Sequence, residues 1–298
     1  MKKHIGIIGG GAAGMMAAVT AARKGTKVTI LERNDRIGKK ILQTGNGKCN
    51  LGNRNLTVEC YHGGDAAWIK QALERFGTED TVCFFQKIGL LIKEKNGYLY
   101  PVSEQAASVL DVLRYELQTL GVEIIYGCKV QKVERTLSGK LVVNDGDREW
   151  QFDAVILTCG GKAAPGTGSD GSGWKIAKKA GHTCIAPVPA LVQLRCLETD
   201  LLKGIAGVRA DSRVRILCDG RETDVERGEL QLTEYGISGI PIFQLSRDVN
   251  YLLRDRKTVM AEIDFLPDMT EESYENMKET RRMLQEKRTA EVFYGNPE

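Results

Sequence analysis

A glycine pattern near the N-terminus has the spacing of a dinucleotide-binding turn. Gly9, Gly11 and Gly14 lie between an apolar run and an alanine-rich stretch, and Glu32 follows 18 positions after Gly14. In such turns the first glycine permits a tight bend, the second lets a pyrophosphate approach the backbone, and the third allows close helix–strand packing. The acid can accept hydrogen bonds from ribose hydroxyls. We therefore predict an adenine dinucleotide here, the alternative being a purely structural glycine turn.

A second segment rich in glycine and lysine spans residues 38–50, GKKILQTGNGKCN. Backbone N–H groups and lysine charge suit a loop that wraps an anionic ligand. The segment is not a P-loop, because Leu42 stands where that motif requires glycine. We predict a ligand-wrapping loop, and a solvated basic loop is the alternative.

These motifs need elements that position them. We predict a βαβ unit made of a strand at His4–Ile8, a helix at Ala13–Lys24 and a parallel strand at Lys27–Glu32. A second helix is predicted at Glu104–Leu120, with Ser103 as its N-cap, followed by a strand at Val122–Tyr126.

The remainder of the chain alternates between strand and turn signals. A three-stranded meander over residues 129–153 and a buried strand at Ala154–Thr158 lead to a glycine-rich loop, Gly160–Gly173, and a helix at Trp174–Ala180. Further strands are predicted at residues 191–197, 209–217, 223–233 and 258–265, and helices at residues 240–253 and 271–288. We place a domain boundary near Ala190.

Composition narrows the class of protein. The chain has 298 residues, 42% of them hydrophobic, and 42 Lys and Arg oppose 39 Asp and Glu for a net charge of +3. We expect neither a nucleic-acid nor a membrane partner from this weak field. The eight cysteines are scattered and only three histidines are present, which favours a reduced cytoplasmic protein without a metal site. The 33 glycines are an excess that close-approach loops would explain.

Several motifs in order resemble one family over nearly all 298 residues. They are GGGAAG with Glu32, TGNGKCN (residues 44–50), YLYPVSEQA (98–106), TCGGKAAPGTGSDGSGW (158–174), PVPALV (187–192) and GELQLTEYGISGIP (228–241). Together they resemble the bacterial FAD-binding flavoproteins that include aminoacetone oxidase and the bile-acid-inducible N flavoprotein.

The resemblance implies an α/β fold. It consists of a Rossmann-like FAD-binding domain with a three-stranded β-meander over residues 1–190, and an inserted mixed β/α substrate or cap domain over residues 191–298. The family pattern assigns the AMP and pyrophosphate site to Gly9, Gly11, Ala13, Gly14, Glu32 and Arg33. It assigns the ribityl chain and ring to Lys40, Gly45, Gly47, Lys48, Cys49 and Asn50, the adenine contact to Val130, and a second glycine turn to Gly160 and Gly161.

Two departures from the family pattern bear on function. Glu234 and Tyr235 stand where many members carry a histidine. Members also return to the FAD domain through a second glycine-rich segment preceded by an acid, and no match to it follows Arg288, so the second domain is expected to be incomplete.

The resemblance implies a cytoplasmic FAD-dependent oxidoreductase. It would pass hydride or electrons between the flavin and a small organic substrate, with O₂ or NAD(P)H as redox partner. The alternatives are an NAD(P)-only dehydrogenase and a truncated flavoprotein without turnover. No catalytic residue is assigned: Cys49, His62, His182, Tyr98, Tyr100 and Ser238 are each interpreted as structural. The substrate, reaction direction and oligomeric state stay open.

Overall fold

The computed structural model describes residues 2–62 and 64–287, and the chain divides into two compact units. The first unit runs to Ile185 and the second begins at Ala186. Among the described residues the first unit has two buried apolar clusters and the second unit has one, and the two units are described separately.

The first unit contains ten strands and five α-helices within the described residues. Its strands are β1 (His4–Ile8), β2 (Lys27–Leu31), β3 (Gly52–Asn53), β4 (Ile92–Lys95), β5 (Tyr98–Pro101), β6 (Glu123–Ile125), β7 (Lys132–Arg135), β8 (Leu141–Asn144), β9 (Glu149–Phe152) and β10 (Ala154–Leu157). Its helices are α1 (Ala12–Arg23), α2 (Ala66–Arg75), α3 (Thr78–Lys87), α4 (Ala106–Thr119) and α5 (Ser172–Lys179).

A four-stranded parallel sheet organises this unit, in the order β10-β1-β2-β6. Its strands enter from four separate stretches of chain, and α1 and α4 pack their apolar residues against it. Met15, Ala18, Leu113 and Leu117 are fully buried in that layer. This is the Rossmann-type arrangement predicted from the sequence, and the βαβ unit lies within one residue of its predicted bounds.

The predicted meander is present as the antiparallel sheet β7-β8-β9. Its last strand leads directly into β10, and Phe152 at that junction is fully buried. A Cβ on Gly6 of β1 would lie 2.5 Å from the Phe152 ring, so glycine is required for this contact. The meander is thereby packed tightly against the parallel sheet.

Two details of the predicted first unit were wrong. Strand β10 is largely exposed rather than buried, and it is an outermost strand of the parallel sheet in the part of the chain that the structure describes. Helix α4 begins at Ala106 with Gln105 as N-cap, not at Glu104 with Ser103. Glu104 has a left-handed backbone, φ 52°, which cannot continue a right-handed helix.

The sequence-based prediction also overlooked several elements. These are a small antiparallel sheet, β3-β5-β4, and the helices α2 and α3. Short 3₁₀ turns lie at Ile41–Gly47, Val58–Cys60 and Pro165–Thr167. The helix predicted at Trp174–Ala180 begins two residues earlier, at Ser172.

The second unit is a five-stranded antiparallel sheet, in the order β11-β14-β13-β12-β15, with helix packing. Its elements are β11 (Leu194–Arg195), α6 (Thr199–Lys203), β12 (Arg209–Cys218), β13 (Arg221–Thr233), β14 (Gly236–Gly239), α7 (Ile240–Arg254), β15 (Val259–Asp264) and α8 (Glu271–Lys287). Helix α7 buries Ile242, Leu245 and Val249 against the sheet, as its predicted apolar face requires.

The second unit differs from expectation at its first strand. The strand predicted at residues 191–197 is reduced to Leu194–Arg195, and the segment Gly236–Gly239, where the sequence predicts no strand, forms the strand β14. Arg288, predicted to end the last helix, lies outside the described residues. The fold class is confirmed as a Rossmann-type unit plus a second mixed β/α unit; the status of the second unit as an inserted domain stays a prediction.

Candidate functional site

The glycine turn between β1 and α1 has no room for side chains at two of its positions. Gly9 has φ 106°, and its N–H donates to the carbonyl of Leu31 at 2.9 Å, which ties the turn to β2. A Cβ on Gly14 would lie 1.9 Å from the carbonyl oxygen of Gly9. Because that neighbour is backbone, it cannot move aside, so Gly14 permits the close helix–turn contact predicted for it.

Glu32 is the acid that ends β2, and it is buried with 6% exposure. One carboxylate oxygen accepts the N–H of Gly10 at 2.7 Å. The other accepts both the backbone N–H of Asn34, at 2.8 Å, and its side-chain amide, at 2.7 Å. A carboxylate has about four acceptor positions, so three protein contacts fix its orientation and leave capacity for a ligand hydroxyl.

A cavity of about 350 Å³ opens beside this acid. It lies at the carboxyl ends of the parallel strands β1, β2 and β10, where ligands of open α/β sheets bind. The lining comes from residues 8–13, 31–34, 38–41, 44, 128–130, 158–160, 167–169 and 172, all within the first unit.

The lining fits an anionic dinucleotide at the N-terminus of α1. That helix starts after Gly11 without a side-chain cap and without an acid in its first turn. Its first N–H groups are therefore available to an anion, and the helix dipole favours negative charge there. A Cβ on Gly11 would meet no atom within 4 Å, so the backbone there is open to close approach. Lys39 and Lys40 line the same cavity.

The glycine-rich loop Gly160–Gly173 closes the cavity on the side of Arg33. The Arg33 guanidinium donates to Asp170 at 2.6 Å, and the side-chain amide of Asn34 donates to the carbonyl of Thr167 at 3.2 Å. Thr158 adds a link at the base of this segment, since its hydroxyl donates to the carbonyl of Gly9 at 2.8 Å. The two glycine turns therefore contact each other and the end of β2.

The structure brings eight of the predicted site residues together in the lining of this cavity. They are Gly9, Gly11, Ala13, Glu32, Arg33, Lys40, Val130 and Gly160. The others do not line it: Gly14 packs inside α1, and Gly161 lies one residue beyond the lining. Gly45, Gly47, Lys48, Cys49 and Asn50 belong to a loop that begins within the 3₁₀ segment Ile41–Gly47 and continues to Asn50.

That loop has an unusual backbone. Gly45, Asn46, Gly47 and Cys49 all have left-handed φ angles, between 53° and 81°. The Lys48 ammonium pairs with Glu104 at 2.8 Å, and Lys93 pairs with the other oxygen of the same carboxylate at 2.5 Å. The two ammonium groups lower the pKa of Glu104 from 4.5 to about 2. In the described chain Lys48 thus has a protein partner rather than projecting as a free cation.

Three thiols near the site are held in their protonated form. Burial raises the pKa of Cys49, which packs in the apolar core of the first unit. Burial raises the pKa of Cys128 to about 12 and that of Cys159 to about 11, and both of these line the cavity. Because the thiolate is the reactive form, the raised pKa of Cys49 favours its interpretation as a structural residue.

The sequence-based prediction missed several groups that shape the site. Gly10, Asn34, Thr158 and Asp170 make the contacts described above, yet none was singled out. Gly10 carried a signal, since it lies between two glycines assigned to the site, and Thr158 lies two residues before a third, Gly160. Asn34 and Asp170 carried none, because their partners in the facing segment, Thr167 and Arg33, lie 133 and 137 positions away in the sequence.

A model of one protein family, described as the HI0933-like protein Rossmann domain, matches residues 3–249. A 3-dehydro-bile acid delta(4,6)-reductase of Clostridium scindens is 46% identical over 268 residues, which are 89% of this chain and 65% of that protein. Ribosomal RNA dihydrouridine synthases of Haemophilus influenzae and Escherichia coli are 32% and 28% identical, covering 88% and 91% of this chain and 64% and 65% of those proteins. The chain thus spans about two thirds of the length of these relatives.

These comparisons bear on the partner classes expected from composition. Two relatives are named for ribosomal RNA, so the expectation that nucleic acid is not a partner is not supported. Within the described residues, no helix combines the length and apolar character needed to cross a bilayer. No group of three His, Cys, Asp or Glu side chains in residues 2–62 and 64–287 is placed to hold a metal ion.

Proposed function

This chain belongs to the HI0933-like Rossmann-domain family, and from that premise we propose that it binds FAD and acts as a flavin-dependent oxidoreductase. The observation that carries the proposal is the cavity beside Glu32, which combines an anion-accepting helix N-terminus with a fixed carboxylate acceptor. Bound FAD would supply the redox chemistry itself, and the chain would bind and orient it.

The described residues divide the binding task. The N-terminus of α1, with Lys39 and Lys40, would hold the pyrophosphate, and Glu32 would accept the adenosine ribose hydroxyls. Val130 and its neighbours form the wall on which adenine would lie, and Gly160 lets backbone approach the cofactor. Lys48, Cys49 and Asn50 are proposed to reach the ribityl chain and ring through the loop that Glu104 holds.

The proposed substrate is a small organic molecule, and NAD(P)H or O₂ is the proposed redox partner. The name of the Clostridium scindens relative, a reductase, supports a reductive direction and hence NAD(P)H as electron source. Unpaired, scattered cysteines support a cytoplasmic location. The chain spans about two thirds of the length of these relatives. The proposed activity therefore refers to the site formed by this part of the protein.

One experiment tests the cofactor directly. The purified chain, as isolated and after incubation with FAD, is analysed by absorbance and by mass spectrometry of the small molecules released on heating. We expect stoichiometric FAD, with bleaching of the flavin band by NADH or NADPH under anaerobic conditions. Binding of NADH without FAD would replace the proposal with an NAD(P)-only dehydrogenase. If the chain bound FAD, but NAD(P)H did not reduce the flavin and no acceptor reoxidised it after reduction by dithionite, a flavoprotein without activity would be favoured.

A second candidate substrate is a uracil base in RNA. The two ribosomal RNA dihydrouridine synthases among the relatives support it. The reductase is the more similar of the relatives described, at 46% against 32% and 28% identity, which favours the small molecule. Mass spectrometry of ribosomal RNA after incubation with the reduced protein separates the two, since only the second candidate adds two hydrogen atoms to a base.

A further inference from the structure

Side chains near the ribose-binding acid determine whether an adenine dinucleotide site binds a ribose that carries a 2′-phosphate. In such sites an acid bonds the free 2′-hydroxyl, whereas a nearby arginine accommodates the 2′-phosphate. Here both side chains are adjacent in sequence, as Glu32 and Arg33, and both line the cavity. The specificity of the site therefore depends on whether the Arg33 guanidinium is available.

The Arg33 guanidinium donates hydrogen bonds to the glycine-rich loop Gly160–Gly173. Its Nη1 lies 2.6 Å from Oδ2 of Asp170 and 3.4 Å from the carbonyl oxygen of Gly168. Both side chains of the ion pair are about one third exposed, so the pair is partly shielded from water. The carboxylate of Asp170 offsets the charge of an arginine held in this way.

Asp170 is itself fixed from the opposite side. Its Oδ1 accepts the backbone N–H of Ser172 at 3.0 Å, at the start of α5. Contacts with Ser172 and Arg33 hold the pKa of Asp170 well below its usual range, so it stays ionised wherever the protein is folded near neutrality. The carboxylate cannot follow Arg33 if the guanidinium swings toward a ligand.

The other charged side chains near Glu32 do not take over the role of Arg33 as a partner for a 2′-phosphate. Glu32 is held toward Gly10 and Asn34 by three hydrogen bonds, and a 2′-phosphate would face this carboxylate. Of the other cations that line the cavity, Lys39 pairs with Asp35 at 2.7 Å and Lys40 belongs to the turn beside the helix N-terminus. Lys129 is exposed at the adenine side and is addressed by the test below.

We propose that Asp170 is a specificity-determining residue, which sequesters Arg33 so that the site accepts an adenosine ribose with a free 2′-hydroxyl and rejects one with a 2′-phosphate. The inference rests on the proposed adenine-dinucleotide function of the same cavity. FAD and NAD(H) carry the accepted ribose, and NADP(H) carries the rejected one.

The test uses the full chain, freed of any retained flavin, and two fragments that probe only the adenosine half. Isothermal titration compares ADP-ribose with 2′-phospho-ADP-ribose. We expect the wild type to prefer ADP-ribose by about tenfold or more, since a phosphate beside an ionised carboxylate is repelled. Asp170→Asn keeps an oxygen that can accept the N–H of Ser172, but it removes the charge that holds Arg33. It should therefore strengthen binding of 2′-phospho-ADP-ribose and reduce the preference for ADP-ribose about fivefold or more.

Two further variants make the result specific. The double variant Arg33→Ala/Asp170→Asn should return to the wild-type preference, since the released guanidinium is then absent. Asp111→Asn, which removes one exposed negative charge from α4 outside the cavity lining, controls for net charge and should leave the preference unchanged. Asp170→Ser replaces Asp170→Asn if the latter does not fold.

Each result either supports the inference or overturns it. Equal wild-type affinities for the two fragments, or an Asp170→Asn preference equal to that of the wild type, would overturn it while FAD binding stands. A gain of phosphate binding that persists in the double variant would assign the effect to Lys129 and also overturn it. Absence of binding to both FAD and ADP-ribose would overturn the proposed cofactor and this inference together.

Discussion

The backbone N–H of Gly10 donates to a carboxylate oxygen of Glu32 at 2.7 Å, so the glycine turn after β1 and the acid at the end of β2 hold each other in place. The contact is buried. It means that the acid proposed to bind the ribose also positions the turn proposed to bind the pyrophosphate. Changes at Glu32 should therefore affect both halves of the site.

Glu32→Gln should weaken FAD binding about 10- to 100-fold. Both carboxylate oxygens accept N–H groups, so the amide must direct its own NH₂ toward one of these donors and leave it unpaired, at about 1–3 kcal/mol. Flavin fluorescence during titration of the chain with FAD measures the change. Glu74→Gln, an exposed acid on α2, is the matched control, and equal affinities for the two variants would contradict the role of Glu32.

Gly14→Ala should mainly lower stability, whereas Gly11→Ala should mainly weaken FAD binding. The alanine Cβ at position 14 would lie 1.9 Å from the Gly9 carbonyl, so the free energy of unfolding should fall by about 2 kcal/mol or more. At position 11 the Cβ enters open space, so stability should fall by about 1 kcal/mol or less, while FAD binding weakens because the methyl group occupies the cavity.

Urea unfolding followed by circular dichroism measures both variants against the wild type, and FAD titration follows at a concentration of urea at which all three are folded. If Gly14→Ala were as stable as Gly11→Ala, the close contact between Gly14 and Gly9 would not exist in solution.

Cys128 and Cys159 should react slowly with iodoacetamide at pH 8. Their pKa values, raised to about 12 and about 11, leave less than about one thiolate in a hundred at that pH. Peptide mass spectrometry should show labelling about a hundredfold slower than at the exposed Cys60 and Cys83. Raising the pH toward 10 should increase the rate of Cys159 labelling roughly in proportion to the hydroxide concentration. Fast labelling of Cys159 at pH 8 would contradict its protonated state.

The ion pair between Glu104 and Lys48 predicts a pH-dependent stability. The pKa of Glu104 falls from 4.5 in the unfolded chain to about 2 in the folded one, so its contribution is complete above about pH 4.5 and is lost as the pH falls toward 2. Glu104→Gln should therefore lower the Tm at pH 7, and the difference from the wild type should shrink between pH 4.5 and 3.

Thermal unfolding at low and high salt tests this effect, since screening should reduce the difference at pH 7. Gln105→Ala, a neighbouring change that leaves the ion pairs intact, is the control. A Tm difference that stayed constant down to pH 3 would show that the carboxylate charge of Glu104 is not what stabilises the loop.

The local part of the fold could be predicted from the sequence because its signals are contiguous. Strand β1, the glycine turn, α1 and β2 follow one another within 31 residues, and each observed bound lies within one residue of the expected one. Apolar periodicity also predicted the core faces of α4 and α7.

The parts that escaped prediction depend on contacts between distant residues. Glu104 adopts a left-handed backbone and carries two lysine partners, one of them 56 positions away, so helix propensity alone placed the start of α4 too early. The sequence predicts no strand at Gly236–Gly239, yet this segment pairs with strands on both sides and forms β14. Arg33 and Asp170 are 137 positions apart, and no local sequence pattern predicts their ion pair.

The position of β10 at the far side of β1 also sets the order in which the site can form. Strand β10 pairs with β1, and the Thr158 hydroxyl reaches back 150 positions to the carbonyl of Ile8. Contacts of such long sequence separation form slowly, because bringing the two ends of the long intervening segment together costs conformational entropy. During synthesis the glycine turn therefore leaves the ribosome long before its supporting strand, and the cavity beside Glu32 closes only after the meander has been made.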